Sequence, residues 1–157
     1  MKDKLREYLD GFLKPKEYYF AKRAVYAFEE KDLIGDVSSF ISDNKDDNRF
    51  QKLLFSHIDR KNLKDSEVYN KVGIDRRLFS KIRNNSYHPS KDTVILLAIA
   101  LELNEDELDD FLFSASYSLP KNNYFDLIIR FCFREGIYDL FTINEYLNDY
   151  DCKTLSN

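Results

Sequence analysis

The chain has 157 residues, 43% of them hydrophobic and 33% charged, proportions that provide for a sizeable core in one domain, or in one domain with an extension. Four glycines, three prolines and few Val or Thr beside Leu, Ile, Phe and Tyr disfavour a turn-rich all-β domain and favour helices joined by short polar loops. A net charge of −4 argues against polyanion binding spread over the whole molecule, so any such site has to be local.

The opening MKDKLREYLDGFLKPKEYY interleaves charge with apolar residues and is not expected to be a secretory leader. The longest apolar run, VILLAIALEL from Val94, is too short to span a bilayer, so no membrane partner is expected. Cys132 and Cys152 have no paired spacing, which suits a reducing cytoplasm better than a disulfide framework.

Residues 1–13 place Leu5, Leu9, Phe12 and Leu13 on one helical face, and Pro15 ends that helix or bends it. The run EYYFAKRAVYAFEEKD predicts a second helix with Phe20, Ala24, Ala27 and Phe28 inward. Residues 33–41 predict a short third helix through Ile34, Val37, Phe40 and Ile41, weakened by Gly35 and Asp36. The polar SDNKDDN at 42–48 reads as a linker and closes an N-terminal helical extension, residues 1–48.

From Phe50 the helical periodicity is strong. Phe50, Leu53, Leu54, His57 and Ile58 stripe one helix, 65–72 forms a short second closed by Gly73, and 75–83 a third. Ser90 caps a fourth and Asn104 a fifth, in which Glu105, Asp106 and Glu107 fall where the helix dipole favours acids. Two more helices, near 124–135 and 139–148, are separated by Gly136. The expected organisation is all-α, with a core at 49–117 and a C-terminal helical pair at 118–157.

Charge is distributed unevenly along this frame. Residues 60–91 hold nine Lys or Arg against Asp65, Glu67 and Asp75, a balance of +6, which leaves −10 for the rest of the chain. Residues 102–157 carry twelve acids and four bases, or −8. A basic island on an acidic body points to a localised polyanion site.

The segment SEVYNKVGIDRRLFSKIR, followed by PSKDTVILLAIALELNEDEL, resembles the lambda-repressor-like, or XRE-type, helix-turn-helix family over about residues 50–115. With NYFDLIIRFCFREGIYDLFTINEYL it is similar to a subgroup bearing two extra C-terminal helices. The resemblance implies that the helix at 75–83 lies in the major groove of double-stranded DNA, with Arg76, Arg77 and Lys81 facing outward and Ser80 beside them. Arginine can fork onto guanine, while Asn84, Asn85 and Lys91 would position phosphates. Asp65 stands where members often carry a phosphate-clamping glutamine, and Tyr69 where they commonly carry alanine. A tyrosine there has either to push the two helices apart or to swing outward.

His57 reads as a core histidine, and neither histidine has a second ligand at zinc spacing. With no phosphate-cradling loop and no nucleophile elbow, neither a cofactor nor enzyme activity is expected. Eleven of 24 Phe and Tyr residues fall between Phe111 and Tyr150. They fit a core shared between the last helices and the bundle, yet Phe131, Phe133, Phe141 and Tyr146 among them wrap more of their helices than one stripe needs, which would also suit an oligomer or partner interface, for instance of a homodimer on a two-fold operator. The alternative expectation is a protein-interaction module, a phage or defence-system adaptor or inhibitor, that keeps the scaffold and reads no DNA.

Overall fold

The structure, a computed structural model, describes residues 2–13 and 33–156, all of whose regular elements are helical. The expected helix through Phe20, Ala24, Ala27 and Phe28 lies outside the described residues. The chain divides into two units, one of residues 15–47 and one that joins residues 1–14 to 48–157. The N-terminal helix therefore belongs to the main unit, where an extension running unbroken from 1 to 48 was expected. The reason is the Leu5–Leu9 stripe, which is fully buried.

In the smaller unit, α2 spans Leu33–Asn44. It runs three residues beyond Ile41 into the expected linker, where the Ser42 hydroxyl donates to the Ser39 carbonyl and the Asn44 amide to the Phe40 carbonyl. Short polar side chains at a helix end satisfy its last carbonyls in this way. Val37, Phe40 and Ile41 share one face of α2, and all three are exposed.

The main unit contains α1 (Lys2–Leu13), α3 (Arg49–Arg60), α4 (Asp65–Lys71), α5 (Arg76–Arg83), α6 (Lys91–Ala100), α7 (Glu105–Ser114), α8 (Tyr124–Arg134) and α9 (Leu140–Asp149). The centre is α6, whose residues Thr93 to Ala100 are all buried, because a helix apolar on every side has to be surrounded. It packs against α4 and α7, while α3 lies on α7, and α7 leads on to α8 and α9. α1 docks on α8: Leu5 and Leu9 are buried, and Tyr8 stacks at 5.5 Å from Phe131. Lys2 pairs with Asp149 and Lys4 with Glu135. Burial of each leucine contributes about 1.5–3 kcal/mol, so α1 is held chiefly by its apolar stripe.

This docking corrects the expected interface. Phe131, Phe133 and Tyr146 are 2%, 2% and 4% exposed, so three of the four proposed contact residues are core of the chain itself. The apolar surplus on α8 is covered by α1, α7 and α9. Only Phe141 stands in solvent.

Each helix from α3 to α9 stops in the same way. The residue after its C-cap takes a left-handed backbone: Asn62, Gly73, Asn85, Glu102, Ser116, Gly136 and Asp151, with φ between +47° and +69°. The next amide then reaches back to a carbonyl in the last turn, as in Leu63 to Ile58, Ile74 to Tyr69, Leu103 to Ala98 and Ile137 to Cys132. Those carbonyls would otherwise be unsatisfied, and the apolar residue making the bond is drawn into the core. The repeated stop sets the short loops that bring α4 and α5 together.

Candidate nucleic-acid interface

α4 and α5 meet through Val68, Val72, Ile74, Phe79 and Ile82, all buried. The turn between them needs Gly73 at φ +69°, a backbone angle that side chains disfavour. Asp75 then starts α5, its carboxylate accepting from the Arg77 amide at 2.8 Å and the Leu78 amide at 3.3 Å. With Phe79 and Ile82 turned inward, every charged position of α5 is left at the surface. Arg76, Arg77, Ser80, Lys81 and Arg83 are exposed.

The nine bases of the island separate into two groups. Arg60 pairs with Glu107, Lys71 with Glu102, Arg83 with Asp65 and Lys91 with Asp126. Lys61 donates to the Glu102 carbonyl. Lys64, Arg76, Arg77 and Lys81 have no ion pair among the described residues. Three of these four free cations lie on α5. Arg77 and Lys81 are one helical turn apart and share a stripe, and Arg76 and Ser80 form the neighbouring one.

Asp65, which stands in place of a phosphate-clamping glutamine, is ion-paired with Arg83, so its charge is largely compensated within the fold. Arg83 also lies over the Phe55 ring at 5.2 Å. Tyr69 does not swing out into solvent. Its ring rests 5.5 Å from Phe79 and remains half-buried.

The loop after α5 holds Asn84, the exposed C-cap, and Asn85, whose positive φ of 53° supplies the turn without a glycine. The Asn85 amide also donates to Asn48 at 2.6 Å. Tyr87 is exposed, while His88 is already stacked on Tyr117 at 5.7 Å. Lys91 departs from the expected phosphate contact: its ammonium is 2.6 Å from Asp126, whose side chain is 4% exposed. A second bond to that carboxylate comes from Asn123 at 2.8 Å. Lys91 thus neutralises a buried acid and fastens α6 to α8.

His57 is buried against Phe111, and its Nδ1 accepts from Arg60 at 3.0 Å. Burial and the Arg60 charge both lower its pKa, so the ring is held neutral. Burial raises the pKa of Glu107, but its bonds from the Asn104 amide and Arg60 outweigh that effect and hold the carboxyl below the usual range.

One feature of this region escaped the sequence. A groove of about 560 Å³ runs between α4, α5 and the end of α3, over Ile58, Leu63 and Phe79. Arg76, Ser80 and Arg83 line its α5 side and Asp65, Ser66 and Tyr69 its α4 side, with Lys64 and Asp59 also in the wall. The signal was present in the spacing, since 76, 80 and 83 fall on one helical face. The groove itself arises from pairing that face with α4, which no local pattern records. Neither protein-family models, curated proteins nor solved structures give a match to the chain.

Proposed function

We propose that the chain is a non-enzymatic DNA-binding protein, a transcriptional regulator of lambda-repressor-like helix-turn-helix type, in which α5 enters the major groove of duplex DNA. One observation carries this reading: of nine bases in the island, the cations left without an ion pair among the described residues are concentrated on the exposed side of α5. An unneutralised cation is what a phosphate or a guanine edge can use. Arg76, Arg77 and Lys81 are the reading residues, with Ser80, Asn84 and Asn85 beside them. A homodimer would present two such helices to an inverted repeat.

The test is titration of the full chain with a mixed-sequence duplex at about 50 and about 200 mM salt. Affinity should fall steeply between the two, and Arg77→Ala/Lys81→Ala should weaken it and flatten the salt slope by about one unit per lost phosphate contact. This pair is the sharper variant because neither residue lines the groove beside Tyr69. No binding at the lower salt, or full affinity in the folded variant, would end the proposal.

A second reading, a protein-interaction module, is favoured by the exposed Val37, Phe40 and Ile41 face of α2. Its sign would be a stable protein complex lost on Phe40→Ser, with duplex DNA ignored throughout.

A further inference from the structure

We propose that the groove between α4 and α5 binds a small aromatic carboxylate, and that this ligand regulates the DNA contact by engaging Arg76. The binding site stands independently of the DNA reading; the regulatory half rests on it. The argument begins with hydrogen-bond supply. The Tyr69, Ser66 and Ser80 hydroxyls and the Arg76 and Lys64 cations all line the groove, and none has a side-chain partner among the described residues. These donors share the groove with the carboxylates of Asp59 and Asp65, and the cations outnumber those acids, which favours an anion.

Charge then sets its size. The wall holds three cations, Lys64, Arg76 and Arg83, against two carboxylates, Asp59 and Asp65, which leaves one positive charge. Asp65 is consumed by Arg83, so a monoanion balances the site and a dianion would overshoot it. A planar carboxylate can take both branches of the Arg76 guanidinium at once.

The body of the ligand follows from the floor. Ile58, Leu63 and Phe79 form an apolar base, and the half-buried Tyr69 lines the groove beside them. A flat ring covers such a base with little loss of conformational freedom. The volume of about 560 Å³ falls within the range of small-molecule sites. Tyr69 is the residue that gives the groove its aromatic wall, where the resemblance led us to expect alanine.

Arg76 links the two activities. It lines the groove from the first turn of α5 and belongs to the free cations of the proposed reading surface. A carboxylate bound there would neutralise it and hold it back from DNA.

The experiment uses the full chain and naphthoate as probe, with naphthol and acetate as its two halves, followed by amide chemical shifts. Saturable naphthoate binding is expected, with each half about tenfold or more weaker, and with Arg76→Gln and Tyr69→Ala each losing about tenfold. Tyr69→Phe keeps the ring and guards against a folding failure of the alanine variant; it should retain part of the affinity. No saturable shift, or shifts indifferent to Arg76→Gln, would overturn the site. Naphthoate should also weaken duplex binding, and binding without that competition would overturn the regulatory half. Duplex binding without naphthoate binding removes this inference and spares the DNA reading, whereas naphthoate binding without duplex binding does the reverse.

Discussion

On α8, the Arg130 side chain is 9% exposed and forks onto Asp109 at 2.8 and 2.9 Å. It adds Glu105 at 3.1 Å and the Leu119 carbonyl at 3.2 Å. On α5, Arg76 and Arg77 lie in solvent with no ion pair among the described residues. The same side chain serves two purposes in one molecule. At the α7–α8 junction charge is consumed in holding helices together, and on α5 it is left available. The net charge of either segment does not reveal this difference, because what separates the two is pairing.

The largest expected effect lies on the consumed side. Arg130→Met keeps the apolar stem and removes the guanidinium, leaving Asp109 and Glu105 without their partner. Breaking a buried pair costs about 3–5 kcal/mol, but these two carboxylates reach water, so a loss of about 2–3 kcal/mol in urea unfolding is expected. A loss under about 0.5 kcal/mol, the size of an ordinary surface change, would erase the distinction between the two regions.

A smaller effect tests whether the regions share their backbone design. Gly73, before α5, and Gly136, after α8, have φ of +69° and +68°, and a Cβ added at either meets nothing within 4 Å. Alanine at each should therefore cost about 1 kcal/mol, all of it conformational, and the two values should agree. A much larger loss at Gly73 alone would place packing strain in the α4–α5 turn.

Those two glycines also show what the sequence made legible. The helices, the Ser90 and Asn104 caps and both glycine turns could be read, since each depends on residues within one turn of each other. The equivalent stops at Asn62, Asn85, Glu102, Ser116 and Asp151 could not, because Asn and Asp signal a left-handed angle far less strongly than glycine, and Glu and Ser do not signal it at all. Here the gain from satisfying end carbonyls outweighs a modest backbone cost. Long-range pairing was equally hidden. The island's sum of +6 is plain in the sequence, yet Arg60–Glu107 and Lys91–Asp126 join residues 47 and 35 positions apart. Phe131 looks like surplus in the sequence because the helix that covers α8 begins at Lys2, far away along the chain.

The smallest effect on stability is expected where the largest effect on binding is proposed. Arg77→Ala/Lys81→Ala removes two exposed side chains with no ion pair among the described residues, so unfolding should change by no more than about 0.5 kcal/mol. Its sign carries more information than its size. Lys64, Arg76, Arg77 and Lys81 are like charges on one small region, and removing two of them relieves repulsion. The variant should therefore be slightly more stable at low salt, and the gain should fade as the Debye length shrinks from about 30 Å at 0.01 M to about 3 Å at 1 M. Arg130→Met should lose stability at either salt, since a buried pair is screened far less than an exposed one. If the double variant is instead destabilised, and salt does not alter the loss, these two cations are structural partners in the folded chain and are not available to a ligand.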